Sequence, residues 1–117
     1  MITNFENITY KLTDEEMKHL PTIIAMLKQS YGRDKALSCT HIQEQVNISQ
    51  ARIRIIINYI RRNGLVSDLC ASSKGYYVAR TQQEFHKYVQ SLTDRINSIQ
   101  SVLDAINNNH SPQYELI

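Results

Sequence analysis

A chain of 117 residues with 13 Lys and Arg against 11 Asp and Glu, a net charge of +2, has room for one domain with a modest core and one long element besides, not for a multidomain enzyme. No apolar run approaches bilayer-spanning length, and the opening MITNFENITYKLTDEE lacks the basic-then-apolar pattern of a signal peptide, so a cytoplasmic protein without membrane association is expected. The two cysteines, Cys39 and Cys70, lie far apart with no CxxC or Cys/His spacing, which predicts buried free thiols and neither a disulfide framework nor a zinc site.

Residues 1 to 12 carry weak strand character at Ile8, Tyr10 and Leu12. Thr13-Asp14-Glu15-Glu16 then fits a capping box, with Thr13 as the cap and Glu16 reaching back to its backbone N–H. Pro21 is expected to break or kink this helix after Leu20, or to open a second helix at its first position. Ile23, Ile24 and Leu27 form a helical stripe, and Gly32 is the expected left-handed end. Lys35 to Ser38 reads either as a single short strand or as the lead into the next helix, capped by Ser38. Ile42 and Val46, four apart, predict a short helix over 39–46 with one buried side, stopping at Asn47.

Ser49 caps a longer helix whose apolar residues Ile53, Ile56, Ile57 and Ile60 stand at i, i+3, i+4 and i+7, one stripe on a 3.6-residue period. The opposite side carries Gln50, Arg52, Arg54, Asn58, Tyr59, Arg61 and Arg62, with Ile55 exposed among them, and Gly64 closes the helix. The β-branched run is compatible with a buried strand as well, but the cap, the stripe and the closing glycine decide for helix. Charge concentrates here: between Gln45 and Arg80 stand Arg52, Arg54, Arg61, Arg62, Lys74 and Arg80 against Asp68 alone. Such a local patch matters more to an anionic partner than the total does.

Leu65 to Ala71 and Tyr76 to Arg80 flank Ser72-Ser73-Lys74-Gly75, which predicts a hairpin with glycine at a positive φ. Tyr76 and Val78 share one strand face, expected to point inward, and Tyr77 and Ala79 share the other. Thr81 to Glu84 is a second capping box. After it Phe85, Val89, Leu92, Ile96, Ile99, Leu103 and Ile106 alternate in steps of four and three, a heptad seam. Val89, Ile96 and Leu103 take the a positions and Phe85, Leu92, Ile99 and Ile106 the d positions, a mixture that does not choose between two strands and more. A helix from Gln82 to about Asn107 would be ~39 Å long, more than a small domain covers. The expected organisation is a domain over 1–80 with an N-terminal extension, a helix over 81–108 that completes the core and self-associates, and a flexible tail over 109–117.

The stretch IQEQVNISQARIRIIINYIRRNGLV, through Ile42, Val46, Ile48, Ser49, Ile53, Ile57, Ile60, Gly64, Leu65 and Val66, resembles a winged helix-turn-helix domain. SSKGYY looks like its wing tip and returning strand, and the whole is similar to small proteins encoded by bacteriophages and prophages. Gln43, where the family more often has a small residue, and Asn47, where glycine is frequent, depart from the commonest pattern; asparagine accepts left-handed φ. The fold expected is mainly α, with a small β-hairpin wing and a long C-terminal heptad helix.

The resemblance implies double-stranded DNA as partner. A helix fits the roughly 12 Å major groove, and its first turns reach base edges. By the family's pattern the base-facing candidates are Gln50, Ala51, Arg52, Arg54, Ile55 and Asn58, with Tyr59, Arg61 and Arg62 towards the phosphate backbone. Lys74, Ser72 and Ser73 at the wing tip, and Thr40 and His41 at the start of the preceding helix, are further backbone candidates. Val89, Leu92, Ile96, Ile99, Leu103 and Ile106 are the expected homodimer contacts, placing two such helices on two half-sites. The expected role is that of a transcriptional regulator or a replication-associated origin-binding factor. The alternative is a winged-helix protein-docking module anchored by Ile55 and Tyr59. No nucleophile with a base, carboxylate pair or phosphate-cradling glycine loop points to an enzyme. His19, His41, His86 and His110 are scattered, so no metal, cofactor or small-molecule ligand is expected.

Overall fold

The computed structural model describes residues 11 to 111. The strand signal at Ile8 and Tyr10, and the tail beyond Ser111, lie outside the described residues. Contacts divide the chain between Phe85 and His86, inside its last helix. The fold class is the expected one: mainly α, with a two-stranded antiparallel hairpin and a long C-terminal helix.

Helix α1 (Asp14–Gln29) begins at a complete capping box: the Thr13 hydroxyl accepts from Glu16 N–H at 3.1 Å and the Glu16 carboxylate from Thr13 N–H at 2.9 Å. It then runs unbroken through Pro21. The expected break does not occur, because the carbonyl that proline deprives of a partner belongs to Met17. Both residues are exposed, so water can take that lone pair. One continuous helix also keeps Leu20, Ile23, Ile24 and Leu27 on the side packed in the core. Gly32 is not the helix end. Ser30 closes α1 two residues earlier, its N–H donating to the Leu27 carbonyl and its hydroxyl to that of Met26. Gly32, at φ +93°, instead opens a 3-10 turn over Arg33–Lys35.

Helix α2 (Cys39–Val46) is capped by the Ser38 hydroxyl, which accepts from His41 N–H, and stops where Asn47 turns left-handed at φ 55°, ψ 45°. Helix α3 (Gln50–Arg62) follows, capped by Ser49. Its isoleucines at 53, 56, 57 and 60 are wholly buried and form one core with Ile23, Leu27, Ile42 and Val66. At its far end Gly64 adopts φ +61° and Leu65 N–H donates to the Ile60 carbonyl, the six-to-one closure of a Schellman motif.

The hairpin is shorter than its sequence signal. Strand β1 is Leu69–Ser72, because Leu65 to Asp68 is a turn that buries Val66 and passes through a left-handed Asp68 at φ 59°. Strand β2 is Gly75–Val78, with Ser72 opposite Gly75 and only Ser73 and Lys74 in the loop. Single bridges from Leu37 to Tyr76 and from Tyr31 to Val78 tie the hairpin to the segment between α1 and α2. Lys35 to Ser38 is therefore one bridge and a cap rather than a strand. Tyr76 and Val78 pack on the core as expected but stay half-buried, whereas Tyr77 on the other face is buried opposite Cys70. Burial raises both the Cys70 thiol and the Tyr77 phenol above their usual ranges.

Helix α4 (Gln82–Asn108) begins at Thr81, whose hydroxyl accepts from Glu84 N–H. The expected reciprocal bond to Thr81 N–H is replaced: Glu84 accepts from Arg80 N–H at 2.8 Å and from Arg33 N–H at 3.2 Å. No helix among the described residues is long and apolar enough to cross a membrane.

Candidate nucleic-acid interface

Because four isoleucines bury one side of α3, the rotation of about 100° per residue fixes what its other side presents. Ala51, Ile55, Asn58 and Arg62 lie along the line furthest from the core, and all four are exposed. Gln50, Arg54 and Arg61 stand on one shoulder of that face, and Arg52 and Tyr59 on the other. Tyr59 is half-buried, while the four arginines are exposed. One side of a single helix therefore gathers four guanidinium groups, the amides of Gln50 and Asn58, the Tyr59 phenol and the apolar Ala51 and Ile55, with no acidic residue anywhere on α3.

The first shoulder is braced by its neighbours. Gln50 donates to Thr40 Oγ1 at 3.1 Å and to Gln43 Oε1 at 3.2 Å, and its own oxygen lies 3.5 Å from Arg54 Nη2. Gln43 of α2 is thus bonded to α3 across the crossing of the two helices. Gln50 is engaged within the chain and half-buried, whereas Arg52 and Ala51 beside it are exposed. Arg54 and Arg61 also reach the field of the Tyr76 phenol. Burial and the adjacent Cys39 thiol push that phenol up, and the two guanidinium groups, Arg61 more than Arg54, partly pull it back. Thr40 and His41 are exposed at the start of α2, with His41 Nδ1 3.9 Å from the Glu44 carboxylate.

At the hairpin tip the Ser72 hydroxyl is spent on the turn, accepting from Lys74 N–H at 3.2 Å and donating to the Gly75 carbonyl at 3.4 Å. Ser73 and Lys74 are exposed. Gly75 has φ +135°, and a side chain there would run into the Leu37 carbonyl. The glycine is demanded by close backbone approach as well as by the turn.

Lys74 shares an open depression of about 500 Å³ with Arg33, Asp34, Arg80 and Glu84. Arg80 pairs with Asp34 at 3.6 Å. The Glu84 carboxyl is held below its usual range by the N–H groups of Arg80 and Arg33, in that order. Arg33 carries no sequence signal of its own, and Arg80 only that of a basic stretch. They meet because Gly32 and Ser30 bond with Val78, with Gly32 N–H donating to the Val78 carbonyl at 2.9 Å and Val78 N–H to that of Ser30 at 2.7 Å. No local signal could have revealed it. This basin brings together Arg33 of the 3-10 turn, Lys74 of the hairpin tip and Arg80 beyond β2, none of them on α3.

The residues expected to mediate self-association lie on α4. Val89, Ile96, Ile99, Leu103 and Ile106 are exposed and Leu92 is half-buried. Val102, absent from the heptad reading, is 59% exposed beside them. Among the described residues no group of three or more His, Cys, Asp or Glu is placed to hold a metal ion. No family model, curated protein or solved structure matches this chain.

Proposed function

We propose that this chain binds double-stranded DNA sequence-specifically in the cytoplasm. It acts as a regulator of transcription or a replication-associated origin-binding factor of phage or prophage type, with copies associated through α4. The observation that carries this reading is the outward side of α3, where Arg52, Arg54, Arg61 and Arg62 surround Ala51, Ile55 and Asn58 while the opposite side is locked in the core. Such a helix can enter the major groove, with Arg52 or Arg54 donating to guanine, Asn58 to adenine, and Arg61 and Arg62 meeting phosphates. Thr40, His41, Ser73 and Lys74 supply flanking backbone contacts. Association through α4 places two such helices on two half-sites.

A second reading has specific support: Ile55 is 40% exposed at the middle of the same face, where a docking module would seat a protein partner. The two readings separate in fluorescence anisotropy with a labelled random-sequence duplex at several salt concentrations. Arg52→Ala/Arg54→Ala is expected to bind about tenfold or more weaker and with a shallower salt dependence. Ile55→Ser is expected to retain most of the affinity. Absence of binding even at low salt would overturn the DNA reading and leave docking in its place.

A further inference from the structure

On α4, Ile99, Val102, Leu103 and Ile106 form an apolar arc left 69, 59, 49 and 61% exposed, and Ile96, one turn earlier, is 64% exposed. We propose that this distal half of α4, from Ile96 to Ile106, joins four copies of the chain. The inference goes beyond the pairwise association in the function reading and does not rest on DNA binding.

Three observations carry it. The first is the choice of side chains along the seam. Taken whole the seam mixes its signals, but they change along its length: in parallel chains Val89 at a with Leu92 at d favours two strands, whereas Ile96 with Ile99, and still more Leu103 at a with Ile106 at d, shift the preference to three or four. Preference therefore shifts upwards, as far as four chains, along the helix. Second, the arc is too wide for a pair. Two helices cover a and d, whereas Val102 sits at g, a position that stays at the margin of a pair and is covered when each helix has a neighbour on either side. Covering the five side chains removes on the order of 100 Å² apiece. That supplies most of the roughly 800 Å² per partner of a standard interface before flanking contacts are added.

The third observation is charge. The positions flanking this half of the seam are Thr93, Gln100 and Asn107 on one side and Arg95 and Val102 on the other, one formal charge in all. Asp94 and Asp104 lie off the seam, each accepting from a glutamine of its own helix, Gln90 at 2.9 Å and Gln100 at 2.8 Å. Such flanks neither repel an identical copy nor call for an oppositely charged partner, so the occupant they fit is the same helix from other chains.

The test is the mass of the full chain in solution without DNA, by sedimentation equilibrium over a wide range of concentration. The expected result is a species of four times the 13.6 kDa chain mass. The variant Ile99→Leu/Leu103→Ile/Ile106→Leu keeps apolar volume and helix length but restores β-branched a and leucine d residues, and with Val102→Gln it is expected to halve that mass. Helicity by circular dichroism reports that the variant has folded. A wild-type mass of one, two or three chains overturns the proposal, as does a folded variant that keeps the wild-type mass. Loss of DNA binding with the four-chain mass intact would count against the function reading alone.

Discussion

Two helices of this chain carry the same apolar spacing with opposite outcomes. On α3, Ile53, Ile56, Ile57 and Ile60 stand at i, i+3, i+4 and i+7 and are wholly buried; on α4, Ile99, Val102, Leu103 and Ile106 stand at the same intervals and are about half exposed or more. The period decides which side of a helix is apolar. What covers that side is decided elsewhere, by whether the chain returns to it. For α3 it does, since Ile23 and Leu27 of α1 and Ile42 of α2 close over the stripe. For the distal half of α4 no described segment does, and the stripe stays exposed; the proposed association with other copies is what would cover it.

Equal truncations in the two stripes put this contrast to the test. Ile57→Ala removes methyl groups from a fully buried site and is expected to lower the unfolding free energy by about 2–5 kcal/mol in urea denaturation. Ile99→Ala, measured where the chains are dissociated, is expected to change it by less than ~0.5 kcal/mol, while weakening self-association on dilution. Comparable losses in both variants would mean that the α4 stripe is buried within one chain after all.

A smaller effect is expected where the hairpin meets the rest of the fold. Gly75→Ala places a methyl group against the Leu37 carbonyl and 2.9 Å from the Ser38 nitrogen, at a φ that alanine rarely adopts. A loss of about 1–3 kcal/mol is expected from the backbone strain. Gly64 also has positive φ but nothing within 4 Å of an added side chain, so Gly64→Asn is expected to cost a few tenths of that. Denaturant midpoints of the two variants check the ranking, and faster amide exchange at Leu37 would locate the damage at the bridge.

These cases also mark how far the sequence could be read. Caps at Thr13, Ser38 and Ser49, the left-handed Asn47, the isoleucine stripe and the closing Gly64 are local rules, each involving residues within a few positions of one another, and each appears in the structure. The misses are of another kind. The intrinsic cost of Pro21 leaves out the solvation of the Met17 carbonyl, and Gly32 follows a helix that Ser30 has already ended. Leu65 to Asp68 looked like strand, although Val66 is pulled into the core. At the candidate interface, the outward residues of α3 followed directly from its stripe. The engagement of Gln50 by Thr40 and Gln43, and the meeting of Arg33, Lys74 and Arg80, depended on pairings between distant segments that periodicity does not encode.

Glu84 provides the finest test of that divide between local rule and distant pairing. A capping box would return its carboxylate to Thr81, three residues away; instead it joins the N–H groups of Arg80 and of Arg33, 51 positions earlier. Those two donors favour the charged carboxylate and lower its pKa. A lowered pKa means that the folded state holds the proton less tightly than the unfolded chain does. The stabilisation is therefore complete above the ordinary carboxylate range and fades as the pH falls through the lowered value. Glu84→Gln replaces one acceptor oxygen by a donor and is expected to reduce the melting temperature slightly at neutral pH, with the gap from wild type closing as the solution is acidified. Taking the difference between the two proteins cancels the other carboxylates. A gap that does not vary with pH would assign the contribution of Glu84 to its packing and neutral hydrogen bonding, and the link between the 3-10 turn and the start of α4 would then owe nothing to charge.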